Sequence, residues 1–244
     1  MTSLLDDFNR AVAAHPNRIA IVDGTGRETT FDALQKRATG LARAWHAQGI
    51  GKGDRVLMAM TLDADLYASL AALWSLGATV VLPEPAMGIK GLRHAARTSQ
   101  ATAFCSSGFY GLLKYTLPEL WHMKALRPHI KPHVKTGPAL DLTAPEDSDI
   151  ALISFTSGTS GAPKAIPRSH GFLTAQHRAI APLLHSDVAE RDLVAFPVFV
   201  LINIASGQTS VLPNWKMSRL SKLTPSQLQN WVTDQSVSRA LLPP

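Results

Sequence analysis

Short apolar runs alternate with helix-periodic segments along most of this chain, and the turns joining them hold only a few residues. Leu34, Ala38, Leu41, Ala42 and Trp45 recur at i, i+4, i+7, i+8 and i+11, the spacing of one apolar helix face. Thr30 can cap the start of that helix and Gly49 can end it. Gly51-Lys52-Gly53-Asp54 then turns the chain into Val56–Met60, an apolar run without polar alternation, which predicts a buried strand. The cycle repeats as a helix over Asp63–Leu76 ending at Gly77, a strand over Thr79–Leu82 stopped by Pro83 and Pro85, a helix over Gly91–Ser99 and a strand over Ala101–Cys105. Strands joined in this way pair in parallel through crossover helices. The expected fold is α/β, a mostly parallel sheet with helices on both faces.

From Ser106 to Asp149 the pattern breaks. Pro118, Pro128, Pro132, Pro138 and Pro145 interrupt a stretch rich in basic residues, so two short helices and an irregular connector are expected, with a subdomain seam there. Phe109, Leu112, Leu113, Leu117 and Trp121 form an apolar stripe that reads as core packing, with contact to a lipid-like surface as the alternative. The alternation then resumes with a strand over Ile150–Phe155, a helix over Ser169–Leu184, and strands over Leu193–Phe196 and Thr209–Leu212. Thr224-Pro225-Ser226-Gln227 is a capping box with proline at the first helical position, and Val237–Leu242 is the last strand.

With 45% hydrophobic and 17% charged residues, the 244-residue chain has a packed core and is not disordered. Its net charge of +6 favours anionic ligands such as nucleotides, phosphates or coenzyme A. No basic helix with interleaved aromatics and no zinc-finger spacing appears, which argues against nucleic acid. A single cysteine, Cys105, excludes an intrachain disulfide and reads as a small core residue. The first residues lack the pattern of a secretory signal, and no run approaches the ~18 apolar residues of a membrane span. A cytoplasmic protein without a transmembrane segment is therefore expected. His129 and His133 are four apart, but Pro132 separates them and no cysteine or carboxylate cluster joins them, so no metal site is expected.

The segment with most chemical content follows the Ile150–Phe155 strand: Thr156-Ser157-Gly158-Thr159-Ser160-Gly161-Ala162-Pro163-Lys164. Glycines without a Cβ let backbone N–H groups approach phosphate oxygens. The hydroxyls of Thr156, Ser157, Thr159 and Ser160 add donors, Lys164 adds a positive charge, and a following helix N-terminus would add its dipole. The spacing is not that of a Walker loop, because Gly158 and Gly161 are three apart and Lys164 lies three further on. It is not a dinucleotide fingerprint either.

The string Ser154–Ala165 resembles the phosphate-loop signature of the adenylate-forming (AMP-binding) superfamily: acyl- and aryl-CoA synthetases, peptide-synthetase adenylation domains and luciferases. That signature reads tyrosine or phenylalanine, then T-S-G, serine or threonine, and T-G-x-P-K-G. Here Ser160 replaces threonine and keeps a hydroxyl, while Ala165 replaces glycine and adds a methyl group that restricts the loop. His170 matches a histidine often seen a few residues later. Thr30–Leu34, Gly51–Val56 and Leu73–Ala78 followed by Pro83 resemble other family stretches in the right order. Phe196–Phe199 resembles the P-L-F-H segment of the acyl pocket, with Val200 at the histidine position. Gly88, the Val198–Gly207 pattern and Thr209–Pro213 look most like the branch of long-chain acyl ligases and β-lactone synthetases.

The resemblance implies that residues 1–244 are the N-terminal α/β part of an adenylate-forming enzyme, with the connector at about 106–149 and the remainder of the enzyme outside the chain. It implies that Mg-ATP activates a carboxylic acid, expected to be fatty, as an acyl-adenylate, and that a thiol such as coenzyme A or another acceptor then takes the acyl group. Lys164 would be catalytic, and Thr156, Ser157, Gly158, Thr159, Ser160, Gly161 and Lys164 would hold the β- and γ-phosphates. Phe199 and Val200 would meet the substrate, and the magnesium ligand would lie outside the chain. On this reading the fragment is inactive alone and prone to self-association. The alternative is a non-catalytic nucleotide- or phosphate-binding module that kept the fold.

Overall fold

The computed structural model describes residues 3–83, 87–129, 145–156, 163–215 and 217–241. In chain order the elements begin α1 (Leu4–Ala14), β1 (Ile19–Val22), β2 (Glu28–Thr30), α2 (Phe31–His46), β3 (Arg55–Ala59), α3 (Ala64–Ser75), β4 (Thr79–Leu82), α4 (Gly88–Thr98), β5 (Ala103–Ser106), α5 (Leu113–Thr116) and β6 (Lys124–Leu126). They continue β7 (Ile150–Thr156), β8 (Lys164–Ser169), α6 (His170–Ile180), β9 (Arg191–Val194), α7 (Pro197–Ser206), β10 (Thr209–Val211), α8 (Pro225–Asp234) and β11 (Arg239–Leu241). The chain divides into two compact units, residues 38–61 with 68–174 and residues 2–37 with 62–67 and 175–244. The exchanges between them fall inside α2, α3 and α6 and in the turn between β3 and α3. They do not fall in the proline-rich stretch 106–149, whose described residues all belong to the first unit.

The first unit holds a six-stranded sheet in the order β6-β5-β3-β4-β7-β8, parallel throughout except for the β7·β8 pair. Leu57, Val81, Phe104, Ile153 and Phe155 form one buried cluster with Leu92, Ala95 and Ala96 of α4. The α4 positions follow the i, i+3, i+4 spacing of a single face. Burying a Leu, Val, Ile or Phe side chain contributes about 1.5–3 kcal/mol, so this cluster is what holds α4 to the sheet. Between α3 and β4 the chain turns at Gly77, whose φ is +70°. A Cβ there would lie 3.1 Å from Lys52 Cβ, so the turn needs glycine for both conformation and space.

The connector contains 3₁₀ turns at Gly108–Leu112 and Pro118–Leu120, and β6 extends the sheet by pairing with β5. The apolar stripe, expected to be core, is core only in part, and Leu117 packs against the buried cluster that Leu113 joins. Leu113 and Leu120 are buried, whereas Phe109, Leu112 and Trp121 face outward. Residues 130–144, including His133, lie outside the described residues, and His129 is exposed.

The second unit holds a five-stranded sheet in the order β11-β9-β10-β1-β2, with only β1·β2 antiparallel. Val22, Leu193, Val211 and Trp231 form its buried cluster. Asp192 is fully buried on β9. Arg239 Nε and Nη2 donate to its carboxylate at 2.7 and 3.0 Å, and Asn203 Nδ2 donates at 2.8 Å. Thr224 Oγ1 accepts from Gln227 N at 3.1 Å, but the Gln227 amide reaches Asn214 instead of the cap, so half of the expected box forms. In this unit α1, which opens with a Ser3/Asp6 capping box, the β1 and β2 strands and α7 have no counterpart in the sequence reading. Residues 197–206 form α7, ended by Gly207 at φ +73°.

Candidate functional site

The sequence places a lysine and then a helix after β7, but the chain first returns as β8. Ile153 pairs with Pro167, Ser154 with Ile166, Phe155 with Ala165 and Thr156 with Lys164. β7 runs parallel to β4, with Leu82 beside Ser154, so the connection after Thr156 leaves from the carboxyl end of the parallel strands. Open α/β sheets bind ligands at that edge. The register sets the Cα of Lys164, the expected cation, opposite that of Thr156, and the Lys164 side chain is exposed. Ser157, Gly158, Thr159, Ser160 and Gly161 lie outside the described residues.

Because β8 carries the chain back along β7, α6 begins beside Ile150 and not beside the loop. At ~3.4 Å per residue, the six residues of β8 put that helix start about 20 Å from the loop. A helix dipole acts over about one turn, so α6 contributes no positive field to the loop.

Several side chains fix the hairpin. On β7, Ala151, Ile153 and Phe155 are buried and alternate with less buried Leu152 and Ser154, so one face of the strand enters the core. Trp74 Nε1 donates to Ala151 O at 2.9 Å and Thr79 Oγ1 to Ile150 O at 2.7 Å, anchoring the start of β7. Arg168 donates to Ser154 Oγ across the pair, and its guanidinium lies 5.9 Å from the Phe172 ring centre. β8 is the sheet edge, and Pro167, which has no N–H, suits that position.

His94 on α4 reaches both stems of the loop. Its Nε2 lies 2.9 Å from Pro163 O, and its ring stands edge-on to Phe155 with centres 5.9 Å apart. A carbonyl oxygen only accepts, so Nε2 carries the proton. No motif marks His94 in the sequence, because its partners lie more than sixty residues away on another element.

His170, the histidine after the signature, is buried and meets Trp74 edge-on at 5.8 Å. Burial pushes its pKa down to about 4, against the opposing pull of Asp149 and Asp147, so the ring is neutral at pH 7. Asp149 accepts from Lys52 at 3.1 Å. Burial raises its pKa, but the hydrogen bond from Lys52 and the Glu146 amide more than offset this and hold it below the ordinary value.

The remaining expected residues are elsewhere. Phe199 and Val200 belong to the second unit, in the first turn of α7. Val200 is buried, while Phe199 is half-buried with its ring 6.4 Å from that of exposed Phe196. Cys105 is a core residue of β5, as expected, and burial pushes its thiol up to about 12. Among the described residues, no group of three or more His, Cys, Asp and Glu is placed to hold a metal ion, and no helix is long and apolar enough to cross a membrane.

A family model described as AMP-binding enzyme matches residues 8–212. Olefin beta-lactone synthetase from Stenotrophomonas maltophilia is 26% identical over 214 residues, covering 82% of this chain and 38% of the relative. 2-succinylbenzoate–CoA ligase from Geobacillus kaustophilus is 27% identical over 253 residues, covering 99% of this chain and 49% of the relative. The chain thus spans about half or less of the length of these relatives. Among solved structures, the N-terminal subdomain of Klebsiella oxytoca NpsA in complex with 3-hydroxybenzoyl-AMSN superposes with TM-score 0.81 at 18% identity, over 99% of this chain and 60% of that one. The o-succinylbenzoate coenzyme A synthetase (MenE) from Bacillus subtilis, in complex with ATP and magnesium ion, gives TM-score 0.77 at 17% identity, over 96% of this chain and 62% of that one. At these identities the likeness is one of fold.

Proposed function

The chain belongs to the AMP-binding enzyme family, and from that premise we propose that it carries the phosphate-binding hairpin of an enzyme that activates a carboxylic acid with ATP. The observation that carries this reading is the β7–β8 register, which brings Lys164 opposite Thr156 at the mouth of the signature loop. An exposed ammonium at that mouth fits a polyphosphate. Lys164 and the loop residues Thr156, Ser157, Gly158, Thr159, Ser160 and Gly161 would hold the β- and γ-phosphates of Mg-ATP. A substrate carboxylate oxygen bonds to the α-phosphorus, the α–β P–O bond breaks, and pyrophosphate leaves. Negative charge grows on that leaving group, and Lys164 would stabilise it. In the second step a thiol, such as that of coenzyme A, bonds to the acyl carbon, AMP leaves, and the thiol proton passes to solvent.

The substrate in this reading is a medium- or long-chain fatty acid. Support comes from the apolar α7 segment, where Phe196 and Phe199 present ring surface and Val200 replaces the histidine of the family segment. The residues extending beyond this chain in its relatives would supply the adenine, magnesium and carboxylate contacts. A pyrophosphate-exchange assay on the protein at the length of its relatives, with fatty, aryl and amino acids in parallel, tests both levels. Exchange with none of these acids overturns the adenylation reading, and preference for an amino acid overturns the fatty-acid reading alone.

A further inference from the structure

We propose that the connector after β5 is a docking surface for an anionic lipid bilayer. Phe109, Leu112, Tyr115 and Trp121 are 74%, 56%, 69% and 63% exposed. The first three follow one another at intervals of three, the spacing of neighbours on a helical surface. Opposite them, Leu113 and Leu120 enter the core cluster with Phe104 and Leu92, so the segment is seated on the first unit. The Lys114 ammonium donates to the carbonyls of Leu120 and Trp121 at 2.6 and 2.9 Å, and Trp121 Nε1 donates to Tyr115 O at 3.3 Å. The indole N–H is thus satisfied within the protein while the ring stays in water, a costly arrangement unless something covers it.

Charge identifies the occupant. Residues 87–129 contain six lysines and arginines and one carboxylate, Glu119, a net of +5 in a chain whose total is +6. Arg93 and Arg97 bind the Glu119 carboxylate at 2.8 and 2.5 Å, a cluster that stays net positive and ties α4 to the connector. Lys90 and Arg127 are exposed on the same unit. Exposed aromatic rings on a net-basic stretch of chain match the boundary of an anionic bilayer, where rings sit among headgroups and lysine or arginine meets phosphate. A second copy of this chain would bring the same net-positive stretch against its own and be repelled. This inference concerns a different surface from the phosphate hairpin and does not depend on the adenylation reading.

Flotation of the purified protein with vesicles tests it. Binding to phosphatidylcholine vesicles containing about 30% phosphatidylglycerol should be at least tenfold tighter than to pure phosphatidylcholine, and should weaken as salt rises. Phe109→Ser with Leu112→Ser should lower it roughly tenfold or more, and Lys90→Gln with Arg127→Gln should remove most of the preference for anionic lipid. Circular dichroism confirms that each variant is folded, and Trp121→Ala provides an independent apolar variant. No binding, equal binding to both vesicle types, or indifference to all three variants overturns the proposal. So does a concentration-dependent dimer in sedimentation equilibrium that Phe109→Ser with Leu112→Ser abolishes, which would assign the face to a second copy.

Discussion

His94 holds the carbonyl of Pro163 from a separate helix, at 2.9 Å from its Nε2. With the ring also against Phe155, one side chain touches both stems of the proposed phosphate loop. His94 touches no reacting atom in the proposed site, so its role is positioning. In the protein at the length of its relatives, His94→Ala should raise the KM for ATP of the proposed reaction about fivefold, the equivalent of one hydrogen bond of ~1 kcal/mol, with a smaller change in kcat. His94→Gln, which keeps a donor, should recover part of the loss. A purely structural role would lower thermal stability and leave the KM unchanged.

Lys164 should behave differently. If it stabilises charge developing on pyrophosphate, Lys164→Ala should slow pyrophosphate exchange by a factor equivalent to about 2.7–4 kcal/mol, on the order of 10²- to 10³-fold, while unfolding stability changes little. The side chain is exposed at the sheet edge, so the folded state does not depend on it. An unchanged exchange rate refutes the assignment.

The burial of His170 makes stability depend on pH. Its pKa falls from 6.5 in the unfolded chain to about 4 in the folded protein. Between those values the unfolded state binds more protons, so stability rises with pH. This contribution is complete above about pH 6.5 and is lost as pH falls toward 4, amounting to on the order of 3 kcal/mol. Urea unfolding at pH 7 and at pH 4.5 should show the difference, and His170→Gln should flatten it. Equal pH slopes in the two proteins refute the prediction.

Asp192 is the most vulnerable charge in the second unit. It is fully buried and satisfied by Arg239 and Asn203. Asp192→Ala leaves the guanidinium without its partner and should lower unfolding free energy by about 3–5 kcal/mol. Adding Arg239→Met should restore part of that loss, which a double-mutant cycle measures.

The alternation of apolar runs and helical segments made β3, α3, β4 and β5 readable to within a few residues, because strands buried on both faces carry little polar interruption. It did not show that the strands sort into two sheets, since an apolar run records burial and not the identity of its neighbour. β8 was missed for the opposite reason: Lys164, Pro167 and Arg168 suit an edge strand and erase the apolar signal. α7 is apolar through most of its length and lacks the polar stripe that would reveal its period. Lys164 and Thr156 could be named from the signature, whereas His94 is defined only by contacts with distant partners.

β8 also has a mechanical consequence. It pairs on one side only, and Pro167 gives it one amide fewer. At its far end the chain is pinned where His170 N donates to Asp149 O at 3.0 Å and Gly171 N to Asp147 O at 2.9 Å. The strand is therefore a flap with graded compliance, soft at Lys164 and stiff at Ser169. Peeling its tip breaks the terminal rungs and the His94–Pro163 hydrogen bond, and leaves the pairing of β7 with β4 intact. Amide exchange should accordingly slow from Ala165 toward Ser169. The residue proposed to grip the nucleotide rides on the part of the sheet that yields at least cost, so grip and release need no rearrangement of the strands beneath it.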